Sequence, residues 1–147
     1  MKKAFTMIEL IFVIIIIGVL ATIAVPKFAG MKNTAEIGNA RSDVAAIRSA
    51  IMTERQRSLV QGTASYIPNI STGAGATVLF TGNGARTLLT YGIKAGTGAG
   101  GWSINNYVAK TYDYNSGTAT TTFTYNSTLG TFNCTQAGNN NCNALAN

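Results

Sequence analysis

Glu9 is a carboxylate set inside an apolar run, and its chemistry needs a partner. The surrounding residues read Ala4-Phe5-Thr6-Met7-Ile8-Glu9-Leu10, and Ile11 to Val25 follows without a charge. On insertion scales an acid within a bilayer costs a few kcal/mol. Twelve Ile, Leu, Val and Phe residues lie between Leu10 and Val25. Each favours insertion by roughly 0.3–0.6 kcal/mol, so the segment still inserts. An unpaired buried charge is costly, and an opposite charge nearby removes much of that cost. The chemistry expected of Glu9 is ion pairing with a cation supplied from elsewhere.

The remaining reactive groups are few. Cys134 and Cys142 enclose seven residues, Thr135–Asn141. In an oxidising compartment they can form a disulfide, and closing so short a loop would contribute about 2–3 kcal/mol. In a reducing one they are two incidental thiols. There is no His and there are five carboxylates, so most acid–base, nucleophilic and metal chemistry lacks its usual side chains. No enzyme activity, metal or cofactor is expected. Gly96-Thr97-Gly98-Ala99-Gly100-Gly101 echoes a nucleotide-binding glycine pattern, but no strand-then-helix context surrounds it, and it reads as a loop. Asn69-Ile70-Ser71 and Asn126-Ser127-Thr128 match the glycosylation sequon, a weak signal.

Charge narrows the partners. The formal net charge is +6, and Lys2 and Lys3 supply two of the eleven basic residues, leaving nine basic and five acidic residues. Those nine are scattered, whereas nucleic-acid binding normally uses a dense basic face. DNA stays an alternative partner, not the leading one.

The elements that must position Glu9 follow from the pattern. Phe5 to Val25 is 21 residues, about 31 Å as a helix, enough to cross a bilayer core about 30 Å thick. Lys2 and Lys3 place the N-terminus in the cytoplasm, so everything after Pro26 faces the other side. Gly18 and Pro26 bracket Val19–Val25 as a weak stretch of helix. A secretory signal cleaved near Val19-Leu20-Ala21 would instead have an apolar core of about 7–15 residues and no acid. A plain signal anchor would leave Glu9 near the interface.

Residues 1–10 resemble the processing motif of type IV pilins and type II secretion pseudopilins, in which a short basic leader ends in Gly before Phe-Thr-Leu-Ile-Glu. This chain differs in having Ala4 for Gly and Met7 for Leu. The strong resemblance covers about residues 1–30. It implies cleavage between Ala4 and Phe5 by a prepilin peptidase, then N-methylation of Phe5. It also implies that Glu9 pairs with the freed amine of a neighbouring subunit, and that Gly18 and Pro26 mark a helix that can unwind in the filament. An assembly ATPase and a platform membrane protein are partners implied by the family. So is a tail stapled through Cys134 and Cys142.

Beyond Pro26, Ile37, Ala40, Val44, Ile47 and Ile51 recur every three or four residues, which predicts an amphipathic helix to about Val60. Thr77–Phe80 reads as a strand, and Arg86–Tyr91 is ambiguous. Residues 102–134 predict antiparallel strands, one running through Val108–Tyr114 and one through Thr118–Tyr125. Turns are expected at Ser116-Gly117 and Asn126–Gly130, before a last strand from Thr131.

The expected fold is α+β and pilin-like: a long N-terminal helix packed against a small antiparallel sheet. Its divisions are a leader at 1–4, a membrane and filament-core helix at 5–25, an amphipathic helix at 26–60 and a β-rich headgroup at 61–147. The expected function is a structural subunit of a type II secretion pseudopilus or type IV pilus-like filament. It waits in the bacterial inner membrane with a periplasmic C-terminal domain, then self-assembles. The alternative is a type IV minor pilin acting in adhesion, twitching motility or DNA uptake. A calcium loop of the major secretion pseudopilin is not expected, because Asp113 is the only acid after Glu54.

Overall fold

The computed structural model describes residues 5–135 and 140–146. Residues 1–4, the expected leader with Lys2, Lys3 and Ala4, lie outside the described residues, as do positions 136–139 between the two cysteines. The chain is a pilin-like α+β architecture, with helix α1 (Met7–Val60), six strands and a short helix α2 (Asn140–Ala146) among the described residues. It divides into two compact units, the first ending at Thr34 and the second starting at Ala35.

In the first unit every large apolar side chain from Phe5 to Val25 is exposed. A helix apolar on all sides cannot hide that surface by itself, and this one is long and apolar enough to cross a membrane. Pro26 stands within α1, where it cannot donate the usual hydrogen bond to the preceding turn. The stretch Val19–Val25 is helical, and the Thr22 hydroxyl donates to the Val19 carbonyl at 2.7 Å.

In the second unit the core-facing stripe of α1 is the one its spacing predicts. Ala40, Val44, Ile47 and Ile51 are fully buried and Ile37 partly so. They pack in one cluster with an antiparallel meander, β3 (Gly101–Asn106), β4 (Thr111–Asn115), β5 (Thr120–Asn126) and β6 (Thr131–Cys134). A two-stranded ladder joins β1 (Val78–Leu79) to β2 (Ile93–Lys94). Alternation along the meander turns Trp102, Tyr112, Tyr114, Phe123, Tyr125 and Phe132 inward. Three aromatic cross-strand pairs result: Trp102 with Tyr114, Tyr112 with Phe123, and Tyr125 with Phe132. Such pairs contribute roughly 0.2–1 kcal/mol each. Phe80 closes the layer, its ring edge-on to Trp102 at 5.5 Å.

Two readings of the sequence need correction. The strand expected through Val108–Tyr114 begins only at Thr111. Lys110 has a left-handed backbone (φ 57°), Ala109 N–H donates to the Asn106 side chain, and Val108 is exposed. Local side-chain capping by Asn106 wins over the alternation that suggested a strand. Arg86–Tyr91, left ambiguous, is neither helix nor strand beyond an isolated bridge at Thr87.

The phenols are held by backbone acceptors: Tyr125 donates to Ile67 O and Tyr114 to Glu36 O, both at 2.7 Å. Burial pushes the Tyr112 and Tyr125 phenols up to about 12. A group whose pKa rises on folding stabilises the fold below its unfolded value, near 10, and loses that contribution as pH passes through the folded value. Alkaline titration followed by tyrosinate absorbance should therefore show two phenols ionising near pH 12, with thermal stability falling between about pH 10 and 12.

Thr121 Oγ1 is buried without a hydrogen-bond partner among the described residues. Valine has nearly the same shape, favours strands and has no hydroxyl to desolvate. Thr121→Val should raise stability by about 1–2 kcal/mol, readable as an upward shift in Tm.

Candidate functional site

The site is built on the first turn of α1. Thr6 precedes Met7, the first helical residue, and acts as its N-cap. The Thr6 hydroxyl accepts from the Glu9 backbone N–H at 3.4 Å, and Thr6 O accepts from Leu10 N–H at 3.3 Å. Thr6-Met7-Ile8-Glu9 has the spacing of a capping box, with an acid three residues after the cap. That signal was readable in the sequence and was missed there. The helix therefore starts after Phe5, so Phe5 stands outside it and is 82% exposed.

Glu9 sits in the first turn, where the positive end of the helix dipole favours an anion. Among the described residues no cation or hydrogen-bond donor pairs with its carboxylate, and it is exposed. Ala4, the other half of the expected cleavage site, lies outside the described residues. Gly18 is open: an added Cβ would meet no atom within 4 Å. Among the described residues nothing packed against it requires glycine.

At the other end of the chain, Cys134 on β6 and Cys142 on α2 form a disulfide, with a Cα–Cα distance of 5.7 Å. The bond ties α2 to the edge strand, where Leu145 is also buried. Arg41 Nε of α1 donates to Ala144 O. The helix α2 had no signal in the sequence, because its seven residues are mostly Asn and Ala.

One polar cluster went unread. Glu54, near the end of α1's buried stripe, is 5% exposed. Arg86 grips it with two bonds, Nε to Oε1 at 2.5 Å and Nη2 to Oε2 at 2.7 Å. Ser58 donates to the same carboxylate at 2.8 Å, and Arg86 also reaches Ser65 O and Tyr66 O. Tyr66 in turn lies on Gly130, where any Cβ would run into its ring, and the Arg55 guanidinium sits over that same ring, 4.4 Å from its centroid. The cluster fastens the chain after α1 to the helix. It offers no catalytic constellation.

A capped apolar helix carrying one acid, joined in sequence to a small meander, is the layout of pilin-like proteins. Residues 1–25 match the prokaryotic N-terminal methylation motif. The chain is similar to the type IV narrow pilus major component PilA5 of Thermus thermophilus, 50% identical over 48 residues, which is 33% of this chain and 41% of that protein. It is also similar to type II secretion system core protein G of Escherichia coli, 42% identical over 50 residues, 34% of either chain. The same protein of Pectobacterium carotovorum is 40% identical over 50 residues, 34% of this chain and 32% of the relative. These matches span 32–41% of the relatives' length. No solved structure matches the chain.

Proposed function

We propose that this chain is a structural subunit, not an enzyme, of a type II secretion pseudopilus or type IV pilus-like filament. The observation that carries the reading is an exposed apolar helix with an N-terminal methylation motif and an acid in its first turn that has no partner among the described residues. Residues 1–4 are the leader, removed by a prepilin peptidase on the cytoplasmic side, and Phe5 is N-methylated. Residues 5–25 anchor the chain in the inner membrane and then form the filament core. Residues 26–60 pack on the headgroup at 61–147, which faces the periplasm. Glu9 pairs with the new Phe5 amine of a neighbour. Gly18 and Pro26 let the helix between them unwind during assembly. An assembly ATPase and a platform membrane protein drive the process.

Mass spectrometry of the protein isolated from cells tests this reading. The mature chain is expected to begin at Phe5 with one added methyl group. A protein that still begins at Met1, or one that begins beyond Ala21, rules the reading out.

A further inference from the structure

The charges on α1 beyond Ala35 are sorted by side. At about 100° per residue, Glu36, Asp43 and Glu54 fall on one flank of the buried stripe. Arg41, Arg48 and Arg55 fall on the other, roughly 100–160° away. Arg57 alone departs from this pattern. The solvent-facing ridge between the flanks carries uncharged residues such as Ser42, Ala45 and Ser49.

Each flank borders a different edge of the meander. On the acidic side Asp43 Oδ2 accepts from Trp102 Nε1 of edge strand β3 at 2.9 Å. On the basic side Arg48 Nε donates to Phe132 O of edge strand β6 at 3.0 Å. Glu54 is neutralised by Arg86. Asp43 is not: it is partly buried, and among the described residues no cation lies within ion-pair distance. Burial raises its carboxyl above the usual carboxylate value, and the Trp102 bond only partly offsets this. Such a carboxylate gains from an incoming cation. On the opposite flank Arg41 is exposed. Its one described bond uses Nε, and a guanidinium has five donors.

We propose that the acidic flank centred on Asp43 docks against the arginine flank, Arg41 and Arg48, of a second copy of this chain. The inference rests on the filament reading and supplies its headgroups with a lateral contact. Because the two flanks lie at opposite edges, each contact leaves one flank of each copy open. Such heterologous contacts repeat into rings or open helices, not closed pairs. Opposite charges across the seam fix its register.

The test uses the full-length chain carrying Arg41→Lys and Arg48→Lys, which keeps both charges and supplies amines. Filaments mixed from isotope-labelled and unlabelled subunits are treated with a carbodiimide, which joins carboxylates to amines in contact. The expected product links Asp43 or Glu36 of one copy to position 41 or 48 of another. Separately, Arg41→Glu and Asp43→Arg should each lower filament yield at least about tenfold, and the two combined should restore it. Normal filaments without these links, or with yield indifferent to either reversal, overturn the contact. If the unaltered chain makes no filaments at all, the filament reading itself falls, and the contact with it.

Discussion

Glu9→Val is expected to leave membrane insertion intact and to abolish filament assembly. The substitution removes the one acid from the apolar segment, so the cost of insertion falls. It also spares the helix start, because the cap on Thr6 uses the Glu9 backbone N–H, which valine keeps. What it removes is the carboxylate, which in the isolated chain has no partner among the described residues. Truncating one member of a buried charge pair at an interface costs about 2–5 kcal/mol. That corresponds to a loss of about 30-fold to a few thousand-fold at every subunit addition, and growth by repeated addition does not survive it. Immunoblots of the membrane fraction should show a normal pool, while sheared extracellular or periplasmic filaments should be missing. Glu9→Asp, which keeps the charge, should retain part of the yield. Filaments of ordinary abundance from the valine variant would contradict the pairing.

Arg86→Met should destabilise the headgroup by about 3–5 kcal/mol, because it strands a buried carboxylate. Glu54 would keep only the Ser58 hydroxyl, and the carbonyls of Ser65 and Tyr66 would lose their donor. For a domain of this size that is a fall in Tm of roughly 10–30 °C. Replacing both partners, Glu54→Met with Arg86→Met, should recover most of the loss, since an apolar pair of similar volume leaves no orphan charge. Thermal unfolding of the three variants, compared by circular dichroism, separates a stranded charge from lost packing. If the double variant is as unstable as the single one, packing and not electrostatics dominates at this point.

Much of this architecture was legible in the residues. The 3.6-residue period from Ile37 to Ile51 marked the buried stripe, because only one face of a helix can meet a sheet. The runs ending at Tyr114 and at Tyr125 marked two strands of the meander, found at Thr111–Asn115 and Thr120–Asn126. Where the reading slipped, a local side-chain bond had replaced the ladder, as at Asn106 before the Lys110 turn. The Glu54–Arg86 pair was out of reach, since its members are 32 positions apart and either one, read alone, is an ordinary surface charge.

Sequence alone settled the membrane-length apolar segment, its lone acid and its match to an N-terminal methylation motif, because these depend on local composition and on spacing within a few turns. Tertiary structure decided which charges were sealed and which stayed open. It paired Glu54 with Arg86, left Asp43 with only an indole N–H among the described residues, and set Asp43 and Arg48 of α1 against opposite edge strands of one sheet. The reason is physical: local preferences propagate over a few residues, but the neutralisation of a charge depends on what the folded chain brings within a few ångströms of it.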